Sequence, residues 1–270
     1  YRFNYELANV YYYQRNYPKM IDAYLELLAV NDKYLNTVKN RLNSAVYTDT
    51  DDTLTDVLKR RLLLKSQEYS GRDVFNELLI WAYLHDKEFK SALMQAKALD
   101  RRNNENGSRI LKIARKALSD NQYNVVADAA SFVMQKGKNQ PYYLSARELY
   151  LKAQFKQVER GIIYEESALN DLADAYRDAI ESVRPSAEII PFYVDLTRLY
   201  AFYKHSPDSA LIYLKQAQNI RHISALERAK IDILEADVKL SKGQIFDATL
   251  IYAAVERDVK NNPVGYKAKL

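Results

Sequence analysis

Residues 77–99 have the sequence ELLIWAYLHDKEFKSALMQAKAL, and this stretch decides the fold. Apolar or small side chains recur every three or four residues on both sides of a polar break, His85-Asp86-Lys87-Glu88. That spacing is typical of the apolar stripe of a helix. Because the break is short, the two helices must pack antiparallel as an αα-hairpin. One hairpin cannot bury its whole apolar surface, so the stretch predicts further hairpins on either side.

The same stretch resembles a tetratricopeptide repeat (TPR). The matching positions are Leu79, Ile80, Tyr83, Phe89 and Ala92. Ile80 replaces the small residue of the motif, and Ala96 stands where an aromatic residue is usual. The resemblance implies stacked helix hairpins that bind a protein or peptide partner.

The repeat can be followed through the chain by the residue that begins each second-helix stripe. These residues are Met20, Ala92, Val126, Ala210 and Ala248, at intervals of 72, 34, 84 and 38 residues. Two intervals are double, so divergent repeats should occupy residues 33–69 and 141–183. We therefore predict an all-α chain, an α-α superhelix (a TPR-like solenoid) of about seven antiparallel helix hairpins.

Glycine and proline support these boundaries, because both disrupt helix interiors. All six glycines and six prolines fall between expected helices or in first turns, and Gly265 is placed between two helices. Expected helices at 142–159 and 164–183 are longer than usual, and Pro185 and Pro191 bracket a bend. We predict one continuous solenoid with N-terminal repeats at 1–140, a divergent long-helix repeat and bend at 141–190, and C-terminal repeats at 191–270.

Composition limits the function classes. The 270 residues are 48% hydrophobic and include no cysteine, which excludes disulfides, thiolate metal sites and cysteine nucleophiles. The longest apolar runs are too short for a transmembrane segment. The net charge of +5 suggests nucleic acid as a possible binding partner. However, acidic residues are interspersed, and the basic clusters Lys59-Arg60-Arg61 and Arg101-Arg102 lie at expected helix faces or ends, so nucleic acid is not the favoured partner.

No residue pattern favours catalysis, a metal or a cofactor. His85, His205 and His222 lie too far apart for a metal trio, and two of them fall in expected turns. The pairs Asp51-Asp52 and Glu165-Glu166 suit helix starts. Gly137-Lys138 lacks the loop of a phosphate site. We therefore predict no catalytic residue, no metal ligand and no cofactor.

Near the C-terminus the sequence has a second resemblance, to long TPR proteins of Bacteroidota of the exported or lipoprotein type. The shared block consists of Gly243, Ala248, Tyr252, Val255, Lys260, Asn261, Pro263 and Gly265. It implies the periplasm or cell envelope, with a lipid anchor upstream, although a chain without cysteine suits the cytoplasm equally well. Uncapped helices at both ends lead us to expect that the protein continues in both directions.

In a superhelix of this kind, first helices line the concave face, and side chains one position past the packing stripe point into the groove. This rule predicts a partner-binding groove of aromatic, polar and basic side chains, which suit an extended peptide. Its members are Tyr5, Asn9, Tyr12, Tyr13, Glu77, Trp81, Leu84, Leu111, Arg115 and Leu118. The competing interpretation is that Trp81 and Tyr12 are packing residues.

Three functional hypotheses follow. The first is a non-catalytic scaffold that holds a protein or peptide partner, within an envelope or secretion-associated assembly. The alternative is a ligand-sensing or nucleic-acid-associated regulatory helical-repeat module, which predicts steeply salt-dependent binding to DNA or RNA. The third is a hydrolytic or carbohydrate-active enzyme on an all-helical toroid, which predicts a cleft with two facing acids whose pKa values are perturbed.

Overall fold

The fold is that of a computed structural model, which describes residues 2–48, 54–161 and 165–269. Within those ranges the chain forms seven consecutive pairs of α-helices and no β-strand. The first helix of each pair is α1 (Arg2–Tyr13), α3 (Leu35–Thr48), α5 (Asp73–His85), α7 (Ser108–Ser119), α9 (Tyr143–Glu159), α11 (Ile190–Arg198) or α13 (Ala225–Ser241). The second is α2 (Tyr17–Val30), α4 (Leu54–Glu68), α6 (Phe89–Asn103), α8 (Tyr123–Met134), α10 (Glu166–Glu181), α12 (Pro207–Gln218) or α14 (Ile245–Asp258). A short helix, α15 (Pro263–Lys267), follows. The predicted all-α class and its seven hairpins are confirmed.

The chain divides into two compact units, Tyr1–Tyr142 and Tyr143–Leu270. The first unit holds α1 to α8, with a core around Met20, Tyr24 and Phe75. The second holds α9 to α15, with a core around Phe155 and Phe192. The three-segment division and the bend between Pro185 and Pro191 stay predictions.

Five hairpins are closed by a three-residue turn with a left-handed middle residue, and four of the five also share one hydrogen-bond pattern. Its middle residue has a left-handed backbone, with φ between +50° and +77°, and is Arg15, Lys87, Asn121, His205 or Gly243. In the first of these turns, the N–H of Asn16 donates to the carbonyl of Tyr11 at 2.9 Å and the N–H of Arg15 donates to that of Tyr12 at 3.0 Å. This Schellman pattern satisfies the last carbonyls of the first helix, and the third turn residue is already the N-cap of the second.

This turn explains the period found in the sequence. Each predicted stripe residue lies five positions after the left-handed residue of its turn. All five stripe residues are buried, with at most 1% of the side-chain surface exposed. The predicted phase is therefore confirmed.

The hairpin of α11 and α12 departs from the others. After Arg198 the helix continues as a π-helical turn, Leu199–Tyr203. Consequently the N–H of Ser206 reaches back six residues, to the carbonyl of Tyr200 at 2.8 Å. The sequence did not predict this extra residue, because a π-turn has no distinctive residue pattern.

The prediction for Gly265 is wrong. This glycine lies inside α15, not between helices. A Cβ at this position would lie 2.6 Å from the carbonyl oxygen of Val259. Glycine is required there because α15 packs so closely on the preceding backbone.

Candidate functional site

The predicted groove residues of α1 are half-buried, except for one exposed tyrosine. The Tyr24 hydroxyl donates to Asn9 Oδ1 at 3.4 Å, and the Tyr12 ring packs against the core. Tyr13 is 80% exposed, and its ring meets that of Tyr12 edge-on at 5.5 Å. Asn9 and Tyr12 therefore contribute to packing, while Tyr13 offers free aromatic surface.

A contact between α1 and α3 adds a residue that the sequence did not suggest. The guanidinium of Arg41 donates to the Tyr5 hydroxyl at 3.0 Å and lies 5.9 Å from the centre of its ring. This hydrogen bond lowers the pKa of Tyr5. Arg41 is exposed, so its remaining donors are accessible to a partner.

Three aromatic rings meet where α3 approaches the end of α5. The His85 ring lies 5.7 Å from Trp81 and 6.4 Å from Tyr47. Tyr47 is 80% exposed, whereas Trp81 is partly buried against the core. His85 was predicted to be a solvated turn residue, but it ends α5 and is only half-exposed between the two rings. We call Tyr5, Arg41, Tyr47, Trp81 and His85 the unit-1 face.

The predicted residue Glu77 is already engaged. Arg109 lies 3.3 Å from Glu77 and also pairs with Glu105 at 3.0 Å. The hydrogen bond from Arg109 lowers the pKa of Glu105. Burial lowers the pKa of the nearby Lys39. Glu77 therefore joins α5 to α7, and a partner would have to compete with Arg109 for it.

On α7 the rule for the groove fails at one position. Leu111 is fully buried and cannot contact a partner, which corrects its assignment to the groove. The reason is the width of the apolar stripe, since both Ile110 and Leu111 are buried. A residue one position past a stripe faces outward only if the stripe is narrow. Arg115 is exposed, and Leu118, like Leu84 of α5, is half-buried.

The structure connects predicted residues of neighbouring first helices through residues that were not predicted. Tyr5 of α1 contacts Arg41 of α3, and Trp81 of α5 contacts His85, whose ring meets that of Tyr47 of α3. Within the described ranges, the aromatic rings of α1 make no ring contact with Trp81. The groove as a binding surface stays a prediction.

A second concave feature lies in the other unit, where the sequence suggested nothing. We call it the unit-2 cleft; it is formed by α9, α11, α13 and α15. Its charged residues are Glu148, Lys152, Asp195, Arg198, Glu227, Lys230 and Lys267. Its apolar residues are Ile190, Pro191, Val194, Ile233 and Val264.

Asp195 is the most deeply placed polar group of this cleft. It is 5% exposed, and the Tyr176 hydroxyl donates to its Oδ2 at 3.4 Å. Burial raises the pKa of Asp195, although the charges of Lys152 and Arg198 oppose this shift. A buried carboxylate with one long hydrogen bond retains capacity to accept further donors.

The residues weighed for chemistry lie apart. Glu165 is the N-cap of α10 and Glu166 its first residue, as predicted for a helix start. Asp51-Asp52 lies outside the described residues. In the described part of the chain, no group of three metal-ligating side chains comes together. No helix in that part is long and apolar enough to cross a membrane.

Comparison with solved structures identifies the architecture. A thermophilic TPR protein from Thermus thermophilus superposes with a TM-score of 0.50 at 20% identity, over 73% of this chain and 97% of that chain. The chain has a tetratricopeptide-repeat fold. A TPR protein from Parabacteroides merdae is similar at a TM-score of 0.46 and 13% identity, over 94% of this chain and 97% of that one. The TPR domain of P58(IPK) is similar at 0.31 and 12%, over 98% and 76%.

Comparisons of the sequence alone do not identify a family. No model of a known protein family matches the chain, and no curated protein matches it. The TPR fold therefore rests on helix geometry, and the resemblance to Bacteroidota proteins stays a prediction.

Proposed function

We propose that this TPR-fold chain is a non-catalytic scaffold whose unit-1 face holds a protein or peptide partner. One observation carries the proposal: Tyr47 is 80% exposed on the surface although it lies against His85, which in turn contacts Trp81. The core does not need this ring. Aromatic side chains held in place on a surface bury a large area on binding at little cost in conformational entropy.

Polar groups at the margin of the unit-1 face support the same proposal. Arg41 is exposed and fixed by Tyr5, so it can offer donors to backbone carbonyls or carboxylates of a partner. Arginine and large aromatic side chains are the residue types enriched among the energetically dominant positions of protein interfaces. The solved relatives are called TPR proteins, which is in keeping with a repeat scaffold.

Site-specific photo-crosslinking tests this proposal. A photoreactive phenylalanine analogue is placed at Tyr47 and, as the control, at Tyr266, an exposed tyrosine of the other unit. In cells of the source organism we expect a discrete crosslinked protein at Tyr47 and not at Tyr266. Identical products at both positions, or none at Tyr47, would refute it.

Substitution then measures the contribution of the face to affinity for the crosslinked partner. Tyr47→Ala removes an exposed ring, so the fold should be retained, and we expect at least about tenfold weaker binding. Tyr266→Ala should leave the affinity unchanged. The proposal also includes an envelope-associated location, which the resemblance to exported proteins supports, and fractionation of cells tests it separately.

A further inference from the structure

One side of α14 is apolar although it faces outward. Phe246, Leu250 and Ala253 follow one another at intervals of four and three residues, so they lie on the same side of the helix. All three are exposed, Phe246 to 75% and Leu250 to 56%. The buried residues of α14, Ala248 and Val255, lie on the opposite side. We call Phe246, Leu250 and Ala253 the α14 outer face.

Comparison with other second helices shows that the stacking of hairpins does not cover this face. Phe246 lies two positions before the buried stripe residue of its helix, and Leu250 lies two positions after it. The equivalent residues are Lys90 and Met94 of α6, and Asp208 and Ile212 of α12. These four stay exposed although a further hairpin packs on each of those helices. Each of those helices has one charged residue at the two positions, whereas α14 has none.

The neighbouring second helix extends the apolar surface. Both α12 and α14 pack on α13. Asp208 of α12 pairs with Lys242, in the turn that precedes α14, and this ion pair holds the starts of the two second helices side by side. Ile212, one turn after Asp208, is exposed. Exposed apolar side chains that recur on neighbouring helices, unlike single scattered ones, indicate an interaction surface.

The charges at the two ends of α14 make the surface self-complementary. Asp247 lies in the first turn and Arg257 in the last. Both are exposed; Asp247 lies 3.7 Å from Lys239, and Arg257 lies 2.9 Å from Asp258. If a second copy places its α14 antiparallel against the first, Asp247 of each copy lies near Arg257 of the other. A two-fold axis between the helices generates this arrangement, with opposite charges at both ends.

A lipid surface fits the α14 outer face less well than a second copy does. Helices that lie on a membrane have a polar face rich in lysine and arginine. Here acidic and basic side chains alternate, because Asp247 precedes the apolar stripe, Arg257 and Asp258 follow it, and Lys242 is already paired with Asp208. Only an occupant that is apolar at its centre, basic at one end and acidic at the other matches this pattern. An antiparallel copy of α14 has these properties.

We propose that the α14 outer face binds the same face of a second copy of this chain, with the two helices antiparallel and Asp247 of each copy paired with Arg257 of the other. In that register the bulky Leu250 of one copy lies close to the small Ala253 of the other, which permits close packing. The 14 residues of α14 form a helix about 21 Å long and about 10 Å wide, so its footprint is far below the roughly 800 Å² per partner of a stable interface. We therefore expect a weak dimer, with a dissociation constant on the order of 10⁻⁵ to 10⁻⁴ M.

Sedimentation velocity of the full chain, at concentrations from about 1 μM to about 300 μM, tests the proposal. We expect a reversible monomer–dimer equilibrium. Leu250→Glu places two carboxylates near the two-fold axis and should weaken dimerisation at least about tenfold. The matched control is Met94→Glu, at the equivalent exposed position of α6 in the other unit, and it should leave the equilibrium unchanged. A chain that stays monomeric throughout, growth beyond the dimer, or equal behaviour of the two variants would overturn the proposal.

Exchange of the end charges tests the antiparallel pairing. Asp247→Arg and Arg257→Asp each bring like charges together at both ends of the pair, so either variant alone should dimerise about fivefold more weakly. An equimolar mixture of the two variants should regain the affinity of the natural chain, because every end contact again joins opposite charges. A purely structural effect of either substitution would not be repaired by mixing. If the mixture associates no better than the separate variants, the proposed dimer is wrong.

Two further measurements separate this proposal from its alternatives. If the chain is monomeric but co-sediments with vesicles of phosphatidylcholine and phosphatidylglycerol, and Leu250→Glu abolishes that binding, the face contacts a membrane and the dimer proposal fails. Leu250→Glu should leave the crosslink at Tyr47 unchanged, because Tyr47 lies in the first unit. If the dimer forms as expected but Tyr47 gives no crosslink in cells, only the proposed function fails.

Discussion

The shared hairpin turn can be tested at Gly243, the one turn that uses glycine at the left-handed position. Gly243 has φ +77°, and no atom lies within 4 Å of a Cβ built on it. Gly243→Ala therefore adds no steric clash, and its cost is that of forcing an L-residue into the left-handed region, about 1–2 kcal/mol. Urea unfolding followed by far-UV circular dichroism measures the change in the free energy of unfolding.

Two further variants control this measurement. Gly71 also has no atom within 4 Å of a built Cβ, but its φ lies outside the left-handed region. Gly71→Ala should therefore be neutral or stabilise by about 0.4–1 kcal/mol through the unfolded chain. Arg15→Gly reverses the change in the first turn, where φ is +55°, and should stabilise slightly. Equal effects of Gly243→Ala and Gly71→Ala would refute the assigned turn.

Three other predictions concern stability. Ser224→Ala removes the capping box of α13 and should lower the free energy of unfolding by about 1 kcal/mol. Ser206→Ala should lower it less, because the Ser206 side chain makes no capping hydrogen bond to α12. Urea unfolding compares the two variants. Because burial raises the pKa of Asp195, the folded state binds its proton more tightly than the unfolded state does. The free energy of unfolding of the natural chain, relative to that of Asp195→Asn, should therefore be greatest below the ordinary aspartate pKa. It should fall as the pH rises through the raised pKa of Asp195. Unfolding curves at a series of pH values from about 3 to about 8 measure this difference. Leu111→Ala should lower the free energy of unfolding by about 2–5 kcal/mol, whereas Arg115→Ala should change it by no more than about 0.5 kcal/mol. Urea unfolding measures both, and similar changes would contradict the placement of Leu111 in the core.

Much of the fold was predictable because it depends on local spacing. Buried stripe residues recur at a fixed distance after each turn, so Met20 and Ala248 could be assigned without any long-range information. The hairpin of α3 and α4 was predicted only from the double interval between the stripe residues Met20 and Ala92. α3 buries just Val38, Leu42 and Ala45, too few to define its outward side. Arg41 and Tyr47 were missed for that reason.

The candidate site depends on contacts that spacing does not determine. Whether Leu111 faces the groove or the core depends on how wide a stripe the neighbouring helices cover. The charged residues of the unit-2 cleft are far apart in the sequence and run from Glu148 of α9 to Lys267 of α15. A net charge of +5 does not show which charged residues lie together. Only the packing of α9, α11, α13 and α15 brings those charges together.

The fold consists of paired helices, five pairs of which are closed by a turn with a left-handed middle residue, and this arrangement positions the surface that we propose binds a partner. Backbone NMR assignment of the full chain tests it most directly, because chemical shifts report the conformation of each residue. We expect helical chemical shifts on both sides of each turn and a left-handed backbone at Arg15, Lys87, Asn121 and His205. Shifts typical of β-strand in these segments, or unbroken helix through the four residues, would contradict it.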